Sequence, residues 1–117
     1  MMKDERTIAV FGSGRAPAGH PVLVQAERLG YLLADAGFAV ICGGYGGTME
    51  AASRGAHRAG GHATGVTMDL FTPGLTPNQW LTEEERVPDF FPRLERLTSA
   101  DGFVVLQGSV GTLTEAT

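Results

Sequence analysis

The chain has 117 residues, of which 43% are apolar and 19% are charged. This length supplies one hydrophobic core, so we expect a single domain over residues 1–117. The 9 basic residues against 13 acidic residues give a net charge of −4, which argues against a nucleic-acid-binding protein. No apolar run reaches the ~18 residues of a membrane span. The one cysteine, Cys42, excludes an intrachain disulfide, and we expect a cytoplasmic protein.

Strands and helices are predicted to alternate along the chain. Short apolar runs predict buried strands at Thr7–Phe11, Phe38–Cys42, His62–Thr67 and Gly102–Leu106. Apolar residues at three- and four-residue spacing predict helices at Pro21–Ala36, Thr48–Ala59 and Asp89–Ala100, with Thr48 as a cap. The stretch Asp69–Pro88 contains three prolines and the run Glu83–Glu85, and it predicts a long surface loop with solvated glutamates.

This alternation predicts an α/β fold, a Rossmann-like doubly wound parallel sheet with helices on both faces in three α/β/α layers. A ligand is expected at the carboxyl ends of the strands, near the switch in strand order. The chain ends at Thr117, shortly after another predicted helix begins. We therefore expect a fold truncated after the fourth strand, with the C-terminal part missing.

Three glycine-rich segments follow strands and so fall on that same edge of the sheet. Glycine lets backbone N–H groups approach a phosphate, and the following helix N-terminus favours an anion, although a single such loop is more often only a tight turn. Three loops on one edge favour phosphate binding. The predicted binding residues are Gly12, Ser13, Gly43, Gly44, Gly46, Gly47, Thr48, Met49, Gly108, Ser109, Val110, Gly111 and Thr112.

The sequence argues against three common kinds of site, for a dinucleotide, for ATP in a P-loop and for pyridoxal phosphate. The segment Gly12–Gly14 begins a dinucleotide-binding pattern, but Pro17 stands at its last glycine. No Gly-Lys-Ser/Thr sequence follows any glycine loop, which argues against a P-loop ATPase. The one lysine, Lys3, lies on the leading segment, so a pyridoxal phosphate Schiff base is not expected. We expect no cofactor.

Other polar residues are assigned ordinary roles. His57 and His62 have no acidic cluster beside them in sequence, so we expect surface histidines and no metal site. Cys42 fits a small buried residue better than a nucleophile. Tyr45 and Trp80 could stack on a base, but Trp80 is better explained as an anchor that packs a loop.

The segment Gln107–Glu115 resembles the P-G-G-x-G-T-x-x-E hallmark of the LOG ("Lonely guy") family, long labelled lysine decarboxylase-like. It matches at Gly108, Gly111, Thr112 and Glu115 and departs at Gln107 and Ser109. The turn Gly43–Ala51 and the segment Phe11–Gly14 also resemble family segments, and an arginine precedes the last strand as Arg93 or Arg96. The resemblance spans nearly the whole chain.

The resemblance implies hydrolysis of an adenine-type nucleoside 5′-monophosphate to free base and ribose 5-phosphate. It assigns catalysis to Glu115 and Arg93, with Arg96 as a second candidate for binding the substrate. The alternatives are a helix-dipole role for Glu115 and a solvated helix face for the arginines. A rival function is a non-catalytic nucleotide or molybdenum-cofactor carrier, because Gln107 and Ser109 alter the hallmark turn. Related proteins share residues between subunits, so we also expect a homodimer formed through the helices beside the fourth strand.

Overall fold

Five strands and three helices make up the part of the chain that the computed structural model describes, which is residues 6–12, 14, 16–69 and 76–106. In chain order they are β1 (Thr7–Phe11), α1 (Pro21–Asp35), β2 (Ala39–Cys42), α2 (Thr48–Arg58), β3 (Ala63–Met68), β4 (Glu83–Val87), α3 (Phe90–Thr98) and β5 (Gly102–Val105). Seven of these eight elements are predicted from the sequence, with ends that differ by two residues or fewer. None of the three helices is long and apolar enough to cross a membrane.

The strands form one sheet in the order β4-β3-β2-β1-β5, and every neighbouring pair is parallel. Ile8 of β1 is the partner of Val40 on one side and of Gly102 on the other. The chain moves outward from β1 to β4 and then returns through α3 to place β5 on the other side of β1. The doubly wound parallel sheet is therefore confirmed, and its strand order reverses between β1 and β5.

Alternate residues of the central strands face two separate cores. Val10 and Val40 pack with Val22 in the core beneath α1 and α2. Their neighbours Ala9 and Ile41 face the opposite side, where they pack against Leu97 of α3. Because a strand's side chains alternate between the two faces, both sides of the sheet are covered and the three α/β/α layers are confirmed.

Helices α1 and α2 approach so closely that glycine is required at two contacts. A Cβ on Gly30 would collide with the carbonyl oxygen of Ala52, and a Cβ on Gly55 would collide with the carbonyl oxygen of Glu27. The Glu27 carboxylate also forms ion pairs with Arg54 at 3.1 Å and with Arg58 at 2.9 Å. The helix pair is thus joined by backbone packing at its centre and by ion pairs at its edge.

The prediction of an uninterrupted loop over Asp69–Pro88 is wrong, because Glu83–Val87 forms β4 at the edge of the sheet. Three successive glutamates hide this strand from a hydrophobic pattern. All three have side-chain partners in the fold. Glu83 lies 3.2 Å from Nε2 of His62. Glu84 accepts from the Thr67 hydroxyl at 2.5 Å, and Glu85 binds Arg96. The expectation of a sheet that stops after four strands is corrected accordingly, because the strand at Gly102–Val105 is the fifth.

The structure also corrects the predicted burial of the last strand and the predicted cap of α2. The strand β5 is predicted to be buried, but Phe103 and Val105 on one of its faces are 53% and 39% exposed. It is an edge strand of the described sheet, so only its other face meets a core. Thr48 is the first residue of α2 and not its cap, because Gly47 occupies the N-cap position.

Candidate functional site

The loop from Gly43 to Gly47 connects β2 to α2 at the carboxyl edge of the sheet. Gly44 has a φ of 87° and Gly47 has a φ of 65°. Residues with a side chain rarely adopt a positive φ of this size. A Cβ on Gly44 would also lie 2.9 Å from Cγ2 of Thr67 and 3.2 Å from the Cα of Gly65. Glycine is therefore needed at Gly44 both for its backbone angle and for the close approach to β3.

The N–H groups of this loop are not equivalent. Gly44 donates its N–H to the Cys42 sulfur at 3.4 Å. The N–H groups of Gly46 and Gly47 make no hydrogen bond to another described residue. Both lie at the start of α2, where the helix dipole favours an anion. Gly46 and Gly47 therefore have N–H donors available at the start of α2, within the described residues.

The first glycine loop packs directly against the start of α2. A Cβ on Gly12 would collide with the hydroxyl oxygen of Thr48, which is fully buried. A Cβ on Gly14 would lie 3.1 Å from the terminal methyl of Met49, and one on Gly43 would lie 2.6 Å from the Met49 sulfur. The Met49 side chain therefore bridges the two loops. Four predicted site residues, Gly12, Gly43, Thr48 and Met49, are brought together in this way.

Arg93 of α3 reaches across to the end of β2. Its Nε donates to the carbonyl oxygen of Val66 at 2.7 Å and its Nη2 to that of Gly43 at 3.1 Å. Its Cζ lies 5.6 Å from the centre of the Tyr45 ring, within the range of a cation–π contact. Burial lowers the pKa of Arg93, but a guanidinium remains charged at neutral pH. The structure thus fixes one positive charge beside the loop Gly43–Gly47.

Arg96 lies one turn further along α3 and binds elsewhere. Its Nε and Nη2 reach the two carboxylate oxygens of Glu85 on β4, at 2.7 Å and 3.1 Å. This hydrogen bonding raises the pKa of Arg96. The structure therefore brings Arg93, and not Arg96, to the glycine loop.

Asn78 is a site residue that the sequence analysis misses. Its Nδ2 donates to the carbonyl oxygens of Tyr45 at 2.9 Å and of Gly44 at 3.4 Å, and its backbone N–H also donates to Gly44 at 2.9 Å. A sequence signal is present, because Asn78 follows Pro77 in the segment predicted to be a long surface loop. Its partners are 33 and 34 residues away, which no local pattern can reveal.

The remaining polar residues take structural positions. The Tyr45 hydroxyl accepts from the Met68 N–H at 3.1 Å, and the ring is buried. Trp80 packs against His57 with ring centres 5.3 Å apart, which agrees with its prediction as a loop anchor. Cys42 is fully buried, as predicted, and burial raises the pKa of its thiol.

A cleft of about 410 Å³ opens beside Gly47, between the N-terminal halves of α1 and α2. Its walls include Glu50, Arg54 and Glu27, and the last two form an ion pair. The volume lies within the range of small-molecule pockets. The cleft adjoins the N-cap of α2 and therefore provides space next to the glycine loop for a part of a ligand that extends beyond an anion.

The third glycine loop and the predicted carboxylate lie outside the described residues. These positions are Gly108, Ser109, Val110, Gly111, Thr112 and Glu115, together with Ser13 of the first loop. Their assigned roles stay predictions from the sequence.

Two families match the chain. Residues 5–75 match the SLOG cluster4 family, and residues 49–117 match the family described as possible lysine decarboxylase. Each match covers more than half of the 117 residues. The chain belongs to the LOG-like family. The resemblance predicted from the glycine-rich segments is confirmed.

Three proteins similar to this LOG-like chain carry names of two kinds. A probable cytokinin riboside 5′-monophosphate phosphoribohydrolase of Oryza sativa subsp. japonica, LOGL5, is 31% identical over 112 residues, which are 94% of this chain and 46% of the relative. The molybdenum cofactor carrier protein of Chlamydomonas reinhardtii has a TM-score of 0.79 at 27% identity, over 95% of this chain and 68% of that one. The molybdenum cofactor binding protein of Rippkaea orientalis has the same TM-score and identity, over 96% and 68%. The chain thus spans about half the length of the curated relative.

Proposed function

We propose that this LOG-like chain binds a purine nucleoside 5′-monophosphate and forms the site at which its N-glycosidic bond is hydrolysed. The observation that carries the proposal is the guanidinium of Arg93, held on the Gly43 carbonyl of the same loop that contains the N–H donors of Gly46 and Gly47. A fixed cation and a helix N-terminus together suit the phosphate of a nucleotide. The 31% identity to the rice protein named as a phosphoribohydrolase supports this reaction.

In the proposed reaction, water attacks the anomeric carbon of the ribose and the bond to the purine nitrogen breaks. The transition state resembles an oxocarbenium ion, so a carboxylate near that carbon stabilises the developing positive charge and orients the water. We assign this role to Glu115, on its match to the family hallmark. Arg93 contributes substrate binding, and the products are the free base and ribose 5-phosphate.

A second candidate function is a carrier that binds a phosphate-bearing ligand without cleaving it. Two solved structures at 27% identity, named as molybdenum cofactor carrier and binding proteins, favour this function. The departures at Gln107 and Ser109 favour it as well, because a changed turn would displace Glu115. A misplacement of ~1 Å can cost ~100-fold in rate. Carrier function needs the binding groups at Gly46, Gly47 and Arg93 but not a catalytic carboxylate.

One experiment separates the two functions. The full chain is incubated with AMP, GMP, CMP and UMP, and the free base is measured by chromatography, with binding of each nucleotide measured by calorimetry. The hydrolase predicts release of adenine, and Glu115→Gln should abolish release while AMP still binds, because the amide keeps the shape and loses the charge. Tight binding of AMP with no release of base would support the carrier, and release by Glu115→Gln at the parent rate would refute the role of Glu115.

A further inference from the structure

The Asn78 side chain uses both ends of its amide in hydrogen bonds. Its amide nitrogen donates to the carbonyl oxygens of Gly44 and Tyr45, and its amide oxygen accepts from the N–H of Trp80 at 3.0 Å. The two carbonyls require a donor and the N–H requires an acceptor, so this network fixes which end of the amide is nitrogen. The Asn78 side chain is partly buried.

These bonds determine the direction of a neighbouring N–H group. The Tyr45–Gly46 peptide is trans, since the described residues contain no cis peptide bond. In a trans peptide the C=O and the N–H point in opposite directions. Because Asn78 holds the Tyr45 carbonyl at 2.9 Å, the N–H of Gly46 points away from Asn78. That N–H makes no hydrogen bond to another described residue, and a Cβ on Gly46 would stand in open space.

We propose that Asn78 is the positioning residue that aims the Gly46 N–H at the phosphate of the bound nucleotide. It acts through the Tyr45–Gly46 peptide and does not touch the ligand itself. Glycine at position 46 would otherwise let this peptide rotate, since glycine occupies more backbone conformations than any other residue. The role rests on the proposed function, because it assumes that the loop binds a phosphate.

The substitution Asn78→Asp tests this role with little change in shape. The carboxylate still accepts from the Trp80 N–H, but it cannot donate and it repels the Tyr45 carbonyl. Gln79→Glu is the matched control, because it makes the same amide-to-carboxylate change at the next residue, which is exposed and has no hydrogen bond among the described residues. We expect Asn78→Asp to weaken AMP binding by roughly tenfold, about 1.4 kcal/mol, and Gln79→Glu to leave it within about twofold.

Two comparisons distinguish a positioning role from general stabilisation. Adenosine lacks the phosphate, so its affinity should not change in Asn78→Asp if the residue acts only on phosphate binding. An equal loss for adenosine and AMP would overturn the proposal. Thermal unfolding of both variants shows whether the chain is folded at the temperature of the assay.

An NMR titration gives a test that does not depend on catalysis. Inorganic phosphate added to the ¹⁵N-labelled full chain should shift the Gly46 amide proton downfield, as a charge-assisted hydrogen bond forms. In Asn78→Asp the shift should be smaller and saturate at higher phosphate. No movement of the Gly46 amide in the parent would overturn the proposal. Binding with this shift but without release of base would refute only the hydrolase.

Discussion

Replacing Arg93 perturbs the candidate site at its fixed positive charge. Alanine removes the donors to the Val66 carbonyl at 2.7 Å and to the Gly43 carbonyl at 3.1 Å, together with the contact to the Tyr45 ring. Lysine keeps the charge but lacks the planar fork that serves two carbonyls at once. Arg96→Ala is the comparison, because it removes the same side chain one turn along α3 from an ion pair with Glu85.

The expected magnitudes differ between the two arginines. A hydrogen bond from a charged group contributes about 1.5–3 kcal/mol. Arg93 makes two such bonds but is only partly buried, so we expect Arg93→Ala to lower the free energy of unfolding by about 2 kcal/mol. The side chains of Arg96 and Glu85 are 36% and 32% exposed, and exposed pairs contribute about 0–1 kcal/mol. AMP affinity should fall by roughly 10- to 100-fold in Arg93→Ala and by an intermediate amount in Arg93→Lys.

The assay combines urea unfolding with calorimetric binding of AMP and adenosine to each folded variant. The reasoning predicts that Arg93→Ala loses affinity for AMP far more than for adenosine, while Arg96→Ala resembles the parent. A larger loss of AMP affinity in Arg96→Ala would transfer the binding role to Arg96. Equal behaviour of the two variants would show that the position of Arg93 on the Gly43 carbonyl has no importance for the ligand.

Three further predictions address packing, titration and assembly. Gly30→Ala should lower the free energy of unfolding in urea by about 1–3 kcal/mol, although alanine favours a helix. Gln25→Ala on the exposed face should change this free energy by less than about 0.5 kcal/mol, and equal effects would contradict the close α1–α2 contact. Burial raises the pKa of Cys42, so the native thiol should resist Ellman's reagent at pH 8, and rapid labelling of the native chain would disprove this. The free energy of unfolding should also fall as the pH rises above the ordinary thiol pKa, because the thiol ionises first in the unfolded chain. A homodimer formed through α3 and β5, where Phe103 is 53% exposed, should appear in sedimentation at micromolar concentration, and a stable active monomer would exclude it.

Local sequence patterns are sufficient for most of the fold. The runs Thr7–Phe11 and Phe38–Cys42 are apolar and short, and the helices carry apolar residues on one side, so hydrophobic burial alone predicts their type and position. The β4 strand Glu83–Val87 escapes this reasoning. Its backbone pairs with β3, but the partners of its glutamates are His62, Thr67 and Arg96, which the linear sequence does not place beside them.

The glycine loops follow from the sequence because glycine itself is the signal, and Gly44 and Gly47 do adopt the left-handed backbone that requires it. The choice between Arg93 and Arg96 depends on which side of α3 faces the sheet, and their spacing in the chain leaves that open. Asn78 becomes a candidate only when the segment between β3 and β4 returns to the end of β2. Hydrophobic periodicity is a local property and determines the elements. Hydrogen bonds between residues 27 to 50 positions apart, as at Arg93 and Asn78, exist only in the assembled tertiary structure.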